Sequence, residues 1–338
     1  MNKKTLFFAL VSALCGAGVC GAALFPPNAF SDSARGTTSA SFLKSPASAR
    51  LAALGSGGGA LRAPDAFFCN PAGVSYIPPG SSTLLLGYES LLEGAGRTAF
   101  AGLKGVSTGV LGIGALYRYE TGLEEYDSRG DSAGGFKAYD AALIGSYGTR
   151  FGWGDAGLAL KYIRSKLYDR SAGTAALDLG VLIKDRENRD VEFAVFARNF
   201  GLPMKLGSVS APLPFELGGA LSLRYASQFV LFIDGRAPAD HIPYLIISGE
   251  YDFRFAGSSA LFLRSGLNFK NYDDLGMMGS FSAGFGVKLG DIGLDYAFVP
   301  YGDLGVTHRF TLGWSFNPVP AAALDQELLA SSPPAKKI

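Results

Sequence analysis

Side chains able to support catalysis are few in this sequence. It contains two histidines, His241 and His308, and the first follows Asp240 in a stretch that we expect to be a loop. With Asp273 and Asp274 of another expected loop, this histidine could activate water as the general base of a surface protease. The alternative, ordinary solvated loop charges, is favoured. No HExxH, GxSxG or Walker A motif is present, and the sequence predicts no catalytic, cofactor or metal site and no enzyme.

The composition excludes several classes of protein. The 338 residues are 48% hydrophobic and only 17% charged, and 46 of them are glycine. Thirty basic and 29 acidic side chains give a net charge of +1, which lacks the basic excess of a nucleic-acid-binding protein. High apolar content with low net charge also argues against disorder. A glycine-rich, weakly charged chain of this kind is well explained as a membrane β-protein.

The N-terminus has the form of an export signal. An apolar run extends from Thr5 to about Leu24, and the small residues at its end suit cleavage near Ala22. The alternative is a retained transmembrane anchor, because the run is nearly long enough to span a bilayer. We interpret residues 1–23 as a signal peptide. Its removal leaves Cys69 as the one remaining cysteine, which excludes an intramolecular disulfide.

Alternation of apolar with small or polar residues dominates the chain from residue 82 to 316. In one such segment Phe281, Phe285 and Leu289 share a face, while glycine, serine and lysine lie on the other. This two-residue period predicts β-strands with one apolar face, and their lengths suit tilted crossings of a bilayer. The predicted segments are 82–92, 97–104, 109–120, 139–151, 155–168, 173–184, 191–199, 215–226, 228–236, 243–253, 259–269, 278–289, 291–299 and 306–316.

The connections between these segments differ in length on the two sides. Short ones such as 105–108 and 152–154 alternate with longer, polar ones such as 121–138 and 200–214. Outer-membrane barrels have short periplasmic turns and longer extracellular loops. The sequence therefore predicts an all-β protein, a transmembrane antiparallel β-barrel of about 14 strands over residues 82–316, located in the outer membrane of a Gram-negative-type bacterium.

The inward face of this predicted barrel consists mostly of glycine, alanine and serine. We expect Arg309 to pair with an inward carboxylate such as Glu250 or Asp295. The small residues either leave room for a plug or a hydrophobic ligand, or only relieve curvature and close packing, and both interpretations stay open. The lumen-facing charged candidates are Arg224, Glu250, Arg264, Lys288, Asp295 and Arg309.

Residues 24–81 precede the barrel and do not alternate. We expect the Ser/Ala/Thr-rich part, 31–49, to be loose, whereas residues 48–73 are apolar and rich in glycine. Because this apolar part would be poorly soluble by itself, we predict that it lies inside or under the barrel as a plug.

The run from Ser48 to Gly73 resembles the N-terminal motif of the PorV/PorQ family and its FadL-like outer-membrane relatives, which contains S-A-R, spaced glycines and NPAG. The resemblance covers about residues 48–316. It implies a 14-stranded barrel with a periplasmic N-terminal hatch, and the matching residues become hatch and gating candidates. These candidates are Arg50, Gly55, Gly58, Asp65, Asn70 and Pro71.

Two functions follow from this resemblance. A FadL-like protein would bind or pass a hydrophobic small molecule, which leaves when the hatch shifts. A PorV-like protein would be an accessory or shuttle component of type IX-like protein secretion. A purely structural outer-membrane role is a third interpretation. The expected partners are outer-membrane lipid, a hydrophobic ligand or secretion-system proteins, with no nucleic acid among them.

The C-terminal end departs from the usual barrel pattern. Such barrels commonly end on a phenylalanine that the barrel-assembly machinery recognises, and Phe316 ends the last predicted strand. Residues 317–338 nevertheless follow it, and we expect this Pro/Ala/Ser-rich stretch to be a disordered periplasmic tail.

Overall fold

Fourteen antiparallel strands close into one barrel, which confirms the predicted fold class. The computed structural model describes residues 24–91, 95–184, 190–226, 228–255, 258–301 and 305–317. The predicted signal peptide, with its cleavage site near Ala22, and residues 318–338 of the predicted tail lie outside the described residues. Each barrel strand pairs with its neighbours along the chain, and the first and last strands pair to close the sheet.

The barrel strands follow the predicted segments closely. They are β1 Ser82–Ser90, β2 Gly96–Val106, β3 Gly109–Tyr126, β4 Ser132–Phe151, β5 Gly154–Leu167, β6 Arg170–Lys184, β7 Val191–Gly201, β10 Glu216–Tyr225, β11 Phe229–Pro238, β12 Tyr244–Arg254, β13 Ala260–Asn268, β14 Phe281–Leu289, β15 Ile292–Pro300 and β16 Val306–Phe316. The two remaining strands, β8 Met204–Leu206 and β9 Val209–Ala211, form a separate hairpin between β7 and β10.

The two ends of the barrel differ in their connections. At one end, called the turn end, residues 107–108, 152–153 and 290–291 join successive strands. At the other, called the loop end, the connections include the β8–β9 hairpin and the helix α2, Tyr272–Ser280, which is interrupted at Gly276. Among the described residues, no helix is long and apolar enough to cross a membrane.

The prediction was wrong about the loop 121–138. Strands β3 and β4 continue to Tyr126 and from Ser132, with register shifts near Glu120 and Glu125. Their polar side chains hid this extension, because a strand surrounded by water on both faces needs no apolar alternation. The expected loop at 270–277 likewise contains most of α2.

The alternation of the sequence appears as alternating exposure on the barrel wall. In β10, Glu216, Gly218 and Ala220 are buried while Leu217 is exposed. The outward belt also exposes Leu312 on β16, along with many other large apolar side chains. These apolar side chains cover the outward surface of the barrel.

The buried apolar core lies between the N-terminal segment, residues 24–81, and the inner face of the wall. Leu51, Leu54 and Phe67 of the segment join a cluster with Ile144 and Ile163 of the wall. The segment contains the short helix α1, Ala49–Ala53, and 3-10 turns at Asp32–Ala34, Ser41–Lys44, Pro64–Phe68 and Pro71–Tyr76.

Residues 31–49 were expected to be loose, and the structure corrects this expectation. Two of the 3-10 turns lie in this stretch, and Phe42 and Leu43 are buried in the core cluster. Their burial was not evident from the sequence, because many serine and alanine residues surround them.

We predict that Leu312→Arg destabilises the barrel in lipid by about 2–4 kcal/mol, because a charge would face the hydrocarbon near the middle of β16. Val306→Arg, on the same face at the strand end, should cost about 0–1 kcal/mol. Reversible denaturant unfolding of both variants in vesicles measures the difference. Equal effects would show that this face does not contact the membrane interior.

Candidate functional site

The N-terminal segment runs through the barrel from the loop end to the turn end. Near its start, the backbone N–H groups of Phe30 and Ser39 donate to Ala239 and Pro212, each at 2.9 Å, at the loop end. Near its finish, the Gly80 N–H donates to Gly105 at the turn end over 3.0 Å. The implied periplasmic location therefore fits only the last residues of the segment, because residues 24–44 contact the opposite end.

A cluster of buried charges joins the middle of the segment to the wall. Arg50 of α1 donates from Nε and Nη2 to the two carboxylate oxygens of Glu250, at 2.9 and 2.7 Å. Arg264 donates to Glu250 over 2.6 Å and to Asp295 over 2.5 Å. Three lumen candidates and one hatch candidate thus lie in one network. Inward alternation nominated the three lumen candidates, but nothing in the sequence placed Arg50 beside them.

Asp65 adds a further carboxylate to this cluster. Its Oδ2 lies 3.9 Å from Nη1 of Arg50, and its buried Oδ1 has no hydrogen-bond partner among the described residues. Burial lowers the pKa of the Arg50 guanidinium, but the carboxylates of Glu250 and Asp65 outweigh burial and hold that pKa above its usual value. Arg50 is therefore a fixed positive charge between acidic groups of the wall and the segment.

A second attachment uses backbone groups at the glycine-rich turn. Asp234 of β11 accepts hydrogen bonds from the N–H groups of Gly58 and Gly59, at 3.0 and 2.8 Å. Gly58 has a φ of +91°, which glycine adopts without strain. Arg236 donates to Asp234 and to the Ser56 carbonyl, at 2.9 and 3.0 Å. Gly55 lies nearby, where its carbonyl accepts from Asn268 over 2.7 Å.

The NPAG motif fits into a row of glycines on the inner wall. Gly148, Gly157 and Gly180 are paired side by side on β4, β5 and β6. A Cβ on Gly157 would lie 2.2 Å from the carbonyl carbon of Pro71, and one on Gly180 would lie 1.9 Å from Oδ1 of Asn70. Both distances are too short for any side chain to be accommodated. These inward glycines therefore leave the space that the segment occupies.

Asn70 also ties the segment to itself. It is fully buried, donates from Nδ2 to the Gly59 carbonyl over 2.7 Å, and accepts from the Ala72 N–H over 3.1 Å. The motif thus holds two separate turns of the segment together above the glycine row.

At the loop end, Asp240 holds the start of the segment. It accepts from Thr38 over 2.6 Å and from Lys44 over 2.7 Å. Burial raises the pKa of the Asp240 carboxyl, but the hydrogen bonds from Lys44 and Thr38 outweigh burial and leave the pKa below its usual value. The interpretation of Asp240 and His241 as solvated loop charges is therefore wrong, since both are buried.

Arg309 and Arg97 attach the segment at the seam where the barrel closes. Both flank Glu89 of β1 in register, and Arg309 pairs with it. The expected pairing of Arg309 with Glu250 or Asp295 is therefore corrected. Arg309 also donates to the Pro46 carbonyl at 2.9 Å.

At the turn end, Arg62 of the segment binds two wall carboxylates. Its Nη1 lies 2.5 Å from Oδ2 of Asp155 on β5, and its Nε lies 2.7 Å from Oε1 of Glu192 on β7. Two lumen candidates take no part in these attachments, because Arg224 and Lys288 are exposed near the turn-end limits of β10 and β14.

Sequence reasoning missed several wall residues that hold the segment. Asp234 and Arg236 alternate with apolar residues in β11, so inward alternation could have found them. Glu89, Asp155 and Glu192 lie near strand ends, where alternation is a weaker signal. No group of three or more His, Cys, Asp or Glu side chains in the described part of the chain could hold a metal ion.

Comparison with known proteins identifies the fold. No protein-family model matches the sequence, and no curated protein matches it. Among solved structures, the Ralstonia pickettii toluene transporter TbuX is 12% identical with a TM-score of 0.52, over 79% of this chain and 97% of that one. A Pseudomonas aeruginosa FadL homologue is 9% identical with a TM-score of 0.51, over 80% and 98%.

The CymD monoaromatic hydrocarbon channel is similar to the same extent. It is 10% identical with a TM-score of 0.51, over 80% of this chain and 96% of that one. At such identities the likeness concerns the fold alone. The closed barrel has the fold of FadL-type outer-membrane barrels.

We predict that Gly180→Ala destabilises the protein by about 1–3 kcal/mol, because the added Cβ collides with the buried Asn70 side chain. Gly145→Ala is the matched control, since Gly145 is a wall glycine with open space around it, and it should change stability by less than about 0.5 kcal/mol. Denaturant unfolding of the two variants measures both. A Gly180→Ala protein as stable as the control would contradict this packing.

We predict that acid loosens the start of the segment through Asp240. Because its folded-state pKa is lowered, the carboxylate stabilises the fold fully above its ordinary pKa of about 3.9 and loses this effect as the pH falls through the lowered value. Hydrogen exchange of residues 24–44, corrected for intrinsic rates, should therefore increase below pH about 4. In Asp240→Asn the exchange should be faster already at neutral pH and depend less on acid.

Proposed function

We propose that this protein passes hydrophobic small molecules across the outer membrane, with residues 24–81 as a movable hatch. The observation that carries the proposal is the N-terminal segment that occupies the interior of a FadL-type barrel. Two of the solved structures with this fold are named as a toluene transporter and a monoaromatic hydrocarbon channel. Displacement of residues 24–81 would open a passage through the barrel interior, and a small apolar substrate could then cross it.

The polar attachments favour a hatch that can move. When the Arg50–Glu250 pair breaks, Glu250 keeps Arg264 as its partner within the wall, at 2.6 Å. Buried ion pairs add little net stability because desolvation offsets their attraction. If water enters as the segment shifts, the separated charges regain hydration, so displacement costs less than unpacking an apolar contact of similar size.

Assignment to the PorV/PorQ family is the finer part of this proposal. It draws on the S-A-R and NPAG residues, which contact the wall through Arg50, Asn70 and Pro71. The same motif supports the second candidate function, an accessory role in protein secretion. That role predicts stable association with a translocon and a hatch whose immobilisation leaves small-molecule flux unchanged.

We predict that a disulfide between Ala49→Cys and Thr311→Cys closes the passage. The two positions are neighbours, because the Ala49 N–H donates to Oγ1 of Thr311 over 2.8 Å. Cells that carry the oxidised double variant in their outer membrane should take up toluene no faster than cells without the protein, and a reductant should restore the rate. Burial raises the pKa of the native Cys69 thiol to about 11, so this thiol competes poorly for disulfide formation.

The single-cysteine variants are the controls for this experiment and should transport equally before and after oxidation. Equal flux through the oxidised and reduced double variant would refute the movable hatch. Co-purification of a translocon with the wild-type protein, together with that unchanged flux, would favour the secretion role.

A further inference from the structure

An apolar groove lies on the outer surface of the barrel wall across β11 to β14. It has a volume of about 550 Å³, and its floor includes Gly249 and Ser265. These two residues are paired across β12 and β13, and Ser265 is paired with Ala283 of β14. These three small residues, in a row at one level, leave a depression in a surface that otherwise carries large apolar side chains.

Large apolar side chains surround this depression. Ile247, Leu263 and Phe281 are exposed side chains of the outward face and line the groove. Met277 of α2 lines it at the loop end and is 56% exposed. The groove therefore opens away from the lumen and is continuous with the belt that faces the membrane, so it is separate from the interior that the segment occupies.

The dimensions of the groove match one leaflet of a bilayer. Phe281, the first residue of β14, is paired with Leu267, and Leu263 lies four residues further along β13. This distance is about 13 Å at the usual rise along a strand, against a leaflet of about 15 Å in a hydrocarbon core of about 30 Å. The long axis thus follows the strands from the loop-end rim toward the middle of the wall.

We propose that this groove binds one acyl chain of a membrane lipid from the leaflet at the loop end. A chain aligned with the strands contacts apolar walls along its length, and the bilayer supplies such chains directly at the opening. A groove of this volume falls in the range of pockets that bind small ligands. The proposal rests on the outward face of the barrel and is independent of hatch movement.

Filling the groove tests the proposal. The barrel is extracted in detergent, incubated with lipid A, the acylated lipid of the outer leaflet, and examined by native mass spectrometry. Ser265→Leu places a large side chain on the groove floor and should reduce the retained lipid by about tenfold, equivalent to about 1.4 kcal/mol. Gly145→Leu is the matched control, because Gly145 faces outward with open space around it, and it should retain lipid like the wild type.

The other outcomes contradict the proposal. Equal retention by wild type and Ser265→Leu, loss in both variants, or no retained lipid in the wild type would each show that no specific site exists. Retention of dodecane without lipid A would identify a free hydrocarbon as the occupant instead. Heat-modifiable gel mobility verifies folding, and Ser265→Val, which adds less volume, replaces Ser265→Leu if that variant does not fold.

Discussion

A bilayer offers no hydrogen-bond partner to the backbone, and this constraint shapes the whole molecule. Strands that cross a membrane must satisfy every N–H and C=O within the sheet, so the sheet has to close on itself. Closure of fourteen strands encloses an interior that must be filled by water, a ligand or protein. Here the inner wall bears glycines such as Gly148, Gly157 and Gly180, and protein fills the space above them. The small inward residues thus make room for the segment, in addition to any role in the curvature of the wall.

The attachment of the segment combines apolar packing with directed charges. Lys44 binds a carboxylate of the β11–β12 loop at the loop end, whereas Arg50 and Arg62 bind wall carboxylates in the middle and at the turn end. Apolar contacts alone would tolerate sliding along the lumen, because burial is not directional. Paired guanidinium and carboxylate groups accept one geometry, so these contacts fix the register of the segment more than they add to stability.

The sequence predicted the barrel well because alternation is a direct consequence of a wall with one lipid-facing side. Alternation predicted even the first and last residues of β16, Val306 and Phe316. It could not predict which inward charges meet, because partners such as Arg50 and Glu250 are brought together by a segment without periodicity. Residues beyond the apolar belt of the barrel were also poorly predicted. The extension of β3 to Tyr126 lacks an apolar face, and the buried Asp240 resembled any polar loop residue.

Closure of the barrel and docking of the segment are physically coupled. The seam joins β1 to β16, the strands most distant in sequence, so its contacts carry the largest loop-closure entropy. Glu89 lies at this seam between Arg97 and Arg309, and both arginines also donate to the Pro46 carbonyl of the segment. Two like charges flanking one carboxylate are stabilised by these extra acceptors. The segment therefore supplies hydrogen bonds that the closed seam needs, and a barrel that lost the segment would leave Arg97 and Arg309 short of partners.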